Sequence, residues 1–351
     1  MNSARRIGCL GLSIAWLGVL ASGALADVVG GRPGAEGWRV GVAVGQMAKL
    51  SGIVDETKRA YSDYEERREE YAHRLETYSL EEFGLDKDTP IYGLRLQCTG
   101  RYFELAVGLD HLSPEATAVA RRDYYLGVDK VQFEGQTYDY LLIPEGQTFD
   151  SELDAMLLDV RLRFTPFSLT IPKVLRLSPW LYAGLLGFYG QYEIDAGPAT
   201  GITIYEAAEY EYVIGGRGTG SASGALPSVG LGGECVLLLG RGRHGPAELT
   251  LYGEWGLLRY DGRTSSLGFS ARNEKDLDLD YTEWRLGARC DLPLNERLGF
   301  FVALEYRLIE AEATLEAQER PPEDQAVRLE KYDKAVDLEG AWWQVSAGLR
   351  F

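Results

Sequence analysis

Residues that carry most hydrolytic and metal chemistry are scarce in this chain, which has 3 His, 4 Cys and 3 Met among 351 residues. There is no Cys-x-x-Cys, no phosphate-cradling glycine loop and no zinc spacing, so the sequence implies no cofactor and no metal centre. Basic residues are outnumbered: 36 Lys and Arg against 53 Asp and Glu give a net charge of −17. A surface of that sign cannot displace the counterions of a phosphate backbone, which excludes nucleic acid as the partner. Long apolar runs are missing as well. Past residue 26 no stretch approaches the roughly 18 apolar residues that cross a bilayer as a helix. What is present is 45% hydrophobic residues, 42 Gly, 21 Tyr and 7 Trp. That is too apolar for disorder, and it fits a membrane β-barrel better than a soluble domain.

Residues 1–26 read as an export signal, with Arg5 and Arg6 as the charged region, Ile7 to Leu20 as the apolar stretch and Ala24-Leu25-Ala26 as the small-residue cleavage site. Cleavage is expected before Asp27, leaving one domain over 27–351 with a net charge of −19, since residues 1–26 hold two arginines and no acid. The remaining thiols, Cys98, Cys235 and Cys290, are an odd number, so complete internal pairing is impossible.

Alternation of apolar with polar or small residues recurs over 38–47, 91–99, 102–111, 153–164, 180–193, 228–239, 248–260, 281–292, 298–309 and 341–351. Each segment has roughly the 9–11 residues of a bilayer-spanning strand. Connections expected to be long (48–90, 112–152, 194–227, 261–280, 310–340) take turns with shorter ones (100–101, 165–179, 240–247, 293–297). Short periplasmic turns alternating with long outer loops are the mark of a transmembrane up-and-down antiparallel barrel. We therefore expect an all-β fold of about 10 strands, with 12 or 8 as alternatives.

Taking Gly100-Arg101 as a two-residue turn pairs position 98 with 103 and puts Leu94, Leu96, Cys98, Phe103, Leu105 and Val107 on one face. Extended along the chain, the same parity gives an outer face of Trp38, Val40, Val42 and Val44, then Leu158, Val160, Leu162 and Phe164, then Val302, Leu304, Tyr306 and Leu308. Outward aromatics are expected in two girdles. Trp38, Phe103, Phe164, Trp180, Phe300 and Phe351 lie near the short turns, and Tyr92, Tyr192, Trp284, Tyr306 and Trp343 near the long loops.

The last strand, 341–351, carries Trp343, Val345, Ala347 and Leu349 at alternate positions and ends on Phe351. Here the chain resembles the bacterial outer-membrane β-barrel superfamily, without pointing to one family inside it. The resemblance implies residence in the outer membrane beside lipid and lipopolysaccharide, and it implies that these five residues are read by the barrel-assembly machinery.

The inner parity holds basic Arg39, Arg95, Arg161, Arg163, Arg285, Arg289, Arg307 and Arg350. Beside them it holds acidic Glu104, Asp110, Asp159, Glu193, Glu234, Glu254, Glu283, Asp291 and Glu305. Nearly balanced long charges in a barrel little wider than one its side chains can fill predict a cross-linked ion-pair core, for example Arg95 with Glu104. A structural or surface-interaction role follows, with a narrow porin-like channel for small solutes as the alternative.

Three outer segments stand apart. Over 54–83 the spacing of Val54, Tyr61, Tyr64, Tyr71, Leu75 and Tyr78 predicts a helical insertion in the first outer loop, with Gly84 as its cap. Residues 131–143 predict a small hairpin turning near Glu134-Gly135. Asp276, Asp278 and Asp280 alternate along an acidic edge that could attract divalent cations.

Catalytic signals are sparse. The omptin-type barrel proteases use acidic pairs and an Asp/His pair at the rim; in this chain parity separates Asp110 from His111, and His244 falls at the periplasmic side. Lipid A deacylase barrels use a His-x-Ser pair on the outer surface, which His111-Leu112-Ser113 matches over three residues, with no acid in the sequence assignable to orient the ring.

Overall fold

The computed structural model describes residues 27–32, 36–64, 67–85, 89–126, 131–133, 136–138, 140–171, 174–205, 208–242, 245–263, 275–319 and 328–351. The expected export segment 1–26 lies outside them. In chain order the strands are β1 (Asp27–Gly30), β2 (Gly37–Tyr64), β3 (Arg67–Ser79), β4 (Thr89–Thr99), β5 (Phe103–Leu112) and β6 (Glu115–Val119). Then come β7 (Tyr124–Leu126), β8 (Val131–Phe133), β9 (Gln136–Tyr138), β10 (Tyr140–Ile143), β11 (Thr148–Phe164) and β12 (Phe167–Ile171). The last six are β13 (Leu175–Tyr205), β14 (Ala208–Gly242), β15 (Gly245–Arg263), β16 (Lys275–Pro293), β17 (Gly299–Glu319) and β18 (Arg328–Arg350).

Ten of these, β2, β4, β5, β11 and β13 to β18, pair antiparallel in sequence order, and β18 pairs back onto β2. The barrel is closed, which leaves no open edge at membrane depth. Closure is completed by Phe351 and Trp38, whose backbone N–H groups donate to each other's carbonyls at 2.9 and 3.1 Å.

Alternation then decides the two faces. Val42 and Leu304 on the outside are 59% and 52% exposed, whereas Arg161 and Glu283 inside are 2% and 1% exposed. Phe103 and Phe164 meet at 5.1 Å between ring centroids in the lower girdle, and Trp255 and Trp284 at 6.2 Å in the upper one. Cys98, Cys235 and Cys290 are all free and sit on β4, β14 and β16, none of which are neighbours.

Several expectations need correction. The first hairpin pairs Cys98 with Leu105 and Thr99 with Glu104, so the turn is Arg101-Tyr102 and the register is offset by two residues. An even offset leaves both faces unchanged. The stretch 54–83 is not helical: among the described residues it forms the outer end of β2, then β3, then a turn over 80–85. Its first part is claimed by β18, whose Arg328 to Val336 pair with Ser62 to Val54, and β3 pairs back onto β2. A helix there would leave that long edge with unmet N–H and C=O groups, and helix propensity is too weak to override them.

Among the described residues the expected long loops are likewise largely strand, with β13 and β14 reaching 31 and 35 residues. The expected hairpin within 131–143 forms as β8 with β9 in a sheet of its own, and the barrel stays at ten strands.

Candidate functional site

The inside of the barrel is layered. Around its middle, Arg161 on β11 donates from Nε to Asp159 at 3.1 Å, from Nη1 to Glu254 at 3.2 Å and from Nη2 to Glu283 at 2.6 Å. Those partners come from β11, β15 and β16, so one guanidinium spans the lumen. Arg307 on β17 donates to Glu283 at 3.1 Å, Arg285 on β16 to Asp159, and Arg163 on β11 to Glu254 at 2.5 Å and to Glu104. Tyr182 donates to Glu283 at 2.8 Å, and the indole of Trp180 to Glu254 at 3.0 Å. Each carboxylate faces at least two cationic or phenolic donors, which is the condition under which buried charge is tolerated.

The aromatic rings also serve the cations. The Arg161 guanidinium lies 4.9 Å from the Tyr182 ring, and that of Arg163 lies 5.3 Å from Trp180. Glycine on the adjoining strands β14 and β15 makes room for these rings. A Cβ at Gly256 would collide with the Tyr182 hydroxyl, and one at Gly232 with the Trp180 indole nitrogen.

Nearer the short turns, Arg39 and Arg289 share Asp291 at 3.0 and 2.8 Å. Arg95 pairs with Asp110 at 2.7 Å and also reaches Gln344. The expected Arg95–Glu104 pair is not made, because Glu104 is taken by Arg163 and by Arg32 at 2.5 Å. Glu305 accepts from Tyr252 at 2.9 Å and lies 3.5 Å from Arg285, and Glu234 is held loosely, 3.6 Å from Arg32 and 3.9 Å from Arg176. A cavity of about 100 Å³ remains beside this network, lined among others by Arg39, Arg95, Tyr252, Phe301, Gln344 and Ser346. Toward the long-loop end the charges give way to an apolar layer of Met47, Ile91, Leu112, Leu186, Ile309 and Trp342.

Sequence reasoning missed Arg32, Tyr182, Tyr252 and Gln344, and misplaced Trp180, Tyr192 and Glu193. In β13 the outward set is Leu181, Leu185 and Tyr189, so Trp180 points into the lumen and Tyr192 packs under the outer loops. Glu193 faces outward and pairs with Arg217 at 2.6 Å. Both parities of 180–186 are apolar, so alternation alone cannot choose; the signal is the opposing Phe164, which pairs with Leu181.

Trp343, Val345, Ala347 and Leu349 stand on the outer face of β18 opposite Tyr306, Leu304, Val302 and Phe300 of β17. His111 faces outward and meets Asp154 of the neighbouring strand at 2.7 Å, an acid that the sequence did not identify. Among the described residues no hydrogen bond joins Ser113 to that ring. His73 sits on β3 opposite Lys58, and His244 lies outside the described residues. Asp276, Asp278 and Asp280 follow one face of β16, and among the described residues no group of three or more His, Cys, Asp or Glu converges on a point that could hold a metal ion.

No protein-family model matches the chain, and neither does any curated protein. Among solved structures it is similar to the outer-membrane protease OmpT from Escherichia coli, at 12% identity over 89% of this chain and 96% of that one, with a TM-score of 0.36. The translocator domain of the autotransporter NalP from Neisseria meningitidis gives 10% identity, 97% and 96% coverage and a TM-score of 0.28. Ail, the attachment invasion locus protein of Yersinia pestis, in complex with the heparin analogue sucrose octasulfate, gives 10% identity, 90% and 99% coverage and a TM-score of 0.26. At these values the likenesses carry nothing about function. An even-stranded closed antiparallel barrel with an apolar belt and two aromatic girdles is an outer-membrane barrel on its own geometry.

Proposed function

We propose that this outer-membrane barrel is a structural and surface-interaction protein whose lumen is filled by ion pairs. The observation that carries this reading is Arg161, whose three nitrogens engage Asp159, Glu254 and Glu283 across the interior. A bilayer-spanning strand needs about 9–11 residues. β13 and β14, at 31 and 35 residues, therefore extend far beyond the membrane and offer surface outside the cell. The partners that this surface would meet are lipopolysaccharide and, along acidic stretches such as Asp276 to Asp280, divalent cations. Recognition by the assembly machinery would fall on Trp343, Val345, Ala347, Leu349 and Phe351 at the seam where β18 closes on β2.

The barrel interior supports no catalytic role, since every buried acid in the central layer is committed to a cation. A narrow channel for small solutes is the second reading, and the cavity of about 100 Å³ beside Arg95 and Gln344 is what favours it. Single-channel recording of the refolded protein in planar bilayers decides between them. The filled lumen predicts small or flickering currents, whereas a large, steady, ion-selective conductance would establish the channel.

A further inference from the structure

Residues 27–32 stand outside the barrel wall yet reach into its interior. β1 runs antiparallel to β12, pairing Val28 with Leu169 and Val29 with Ser168. Gly31 N–H donates to Pro166 at 3.2 Å and Arg32 N–H to Arg101 at 2.6 Å, tying the segment to two separate short turns. The Ser168 hydroxyl donates to the Gly31 carbonyl at 2.6 Å. Gly31 has φ of 69°, and a Cβ there would run into the Arg101 carbonyl and approach its Cγ to 2.9 Å. Only glycine accommodates both demands.

From this mooring the Arg32 side chain, 3% exposed, enters the end of the lumen nearest the short turns. It meets Glu104 at 2.5 Å and Glu234 at 3.6 Å, and its guanidinium lies 4.7 Å from the Trp180 ring.

We propose that residues 27–32 are a withdrawable bolt that closes the periplasmic end of the lumen, with Arg32 as its shaft and Glu104, Glu234 and Trp180 as its socket. The inference rests on the filled-lumen reading above. Among the described residues the bolt is the one member of the network that does not belong to a barrel strand, and it is held by a four-residue strand at the edge of its sheet. Its hold is also incomplete. Arg32 Nε and Nη2 are buried with no hydrogen-bond partner, whereas Arg161 has Nε, Nη1 and Nη2 all engaged. Withdrawal would take one cation from Glu104, which Arg163 still holds, and one from the loosely held Glu234, and would uncover the Trp180 indole, leaving the threshold of the cavity one charge more negative and so more favourable to cations than to anions.

The test uses the full chain with Cys98, Cys235 and Cys290 replaced by Ala and one reporter, Ser346→Cys, on the cavity wall. The rate of modification by a trimethylammonium methanethiosulfonate reagent is measured in refolded protein, with folding checked by heat-modifiable gel mobility. Arg32→Ala should raise that rate roughly ten-fold, the change produced by about 1.4 kcal/mol in the bolted equilibrium. Gly31→Ala, which leaves every charge in place but cannot hold the left-handed turn, should raise it likewise and carries the test alone if Arg32→Ala fails to fold. A rate as slow as that of the parent in either folded variant overturns the bolt. Rapid modification of the parent itself would overturn the filled lumen and the bolt with it.

Discussion

Glu254 shows how much one side chain can carry inside this barrel. Fully enclosed, it accepts from Arg161, Arg163 and Trp180, so its removal takes one carboxylate partner from each of two buried guanidinium groups at once. Breaking a buried pair by deleting one partner costs about 3–5 kcal/mol, because the remaining charge stays desolvated. Glu254→Gln should therefore lower the urea midpoint of the refolded barrel by an amount in that range, and a variant as stable as the parent would show the layer to be hydrated. The outer face makes the opposite demand. Leu304, 52% exposed and paired with Val345, faces lipid, and Leu304→Arg should destabilise by about 2–4 kcal/mol in bilayers. At the adjacent inward Ala303 the same substitution acts through crowding of the cavity, and equal stability of Leu304→Arg and parent in lipid would reverse the face assignment.

Along the elements, pairing creates contacts that no single strand reveals. Glu152 on β11 lies directly opposite Glu115 of β6 on one side and Glu193 of β13 on the other. Like charges facing each other across strands destabilise, by up to about 1 kcal/mol, and salt screens the effect. Glu152→Gln should raise the thermal midpoint, more at low ionic strength than at high; a lowered midpoint would mean that the row is bridged by bound cations. Strand number, faces and closure were legible because lipid punishes any break in alternation. Trp180 escaped since Trp180-Leu181-Tyr182 is apolar on both parities, and only the register against Phe164 breaks the tie. The stretch 54–83 escaped because its helical spacing is local, whereas the ladder that claims its first strand comes from residues 328–336, more than 250 positions away. The charges of the core could be named from parity, but not their partners. Arg95 turned to Asp110 once the hairpin register moved by two, and Arg32 was invisible because it lies on no spanning strand.

At the scale of the whole molecule the seals stand in series. A cation entering from the periplasm meets the Arg32 bolt first, then the cavity beside Arg95 and Asp110, then the apolar layer around Trp342 and Ile309. Each excludes water for a different reason. The bolt fills space with a paired side chain, the middle binds its own charges to each other, and the outer layer offers an ion no hydration at all. Resistances in series are ruled by whichever remains, so opening one leaves the path closed. Arg32→Ala alone, the double change Arg95→Ala with Asp110→Ala alone, and Trp342→Ala alone should each pass no more than the small or flickering current of the parent in planar bilayers, even though the first exposes the cavity to reagents from below. Combined in one chain they should yield discrete, cation-favouring conductance steps, since Glu104 and Glu234 would then face the open path without Arg32. A steady current from any of the single-layer variants would show that the other two layers do not seal, and the lumen would have to be redrawn as one gate rather than three.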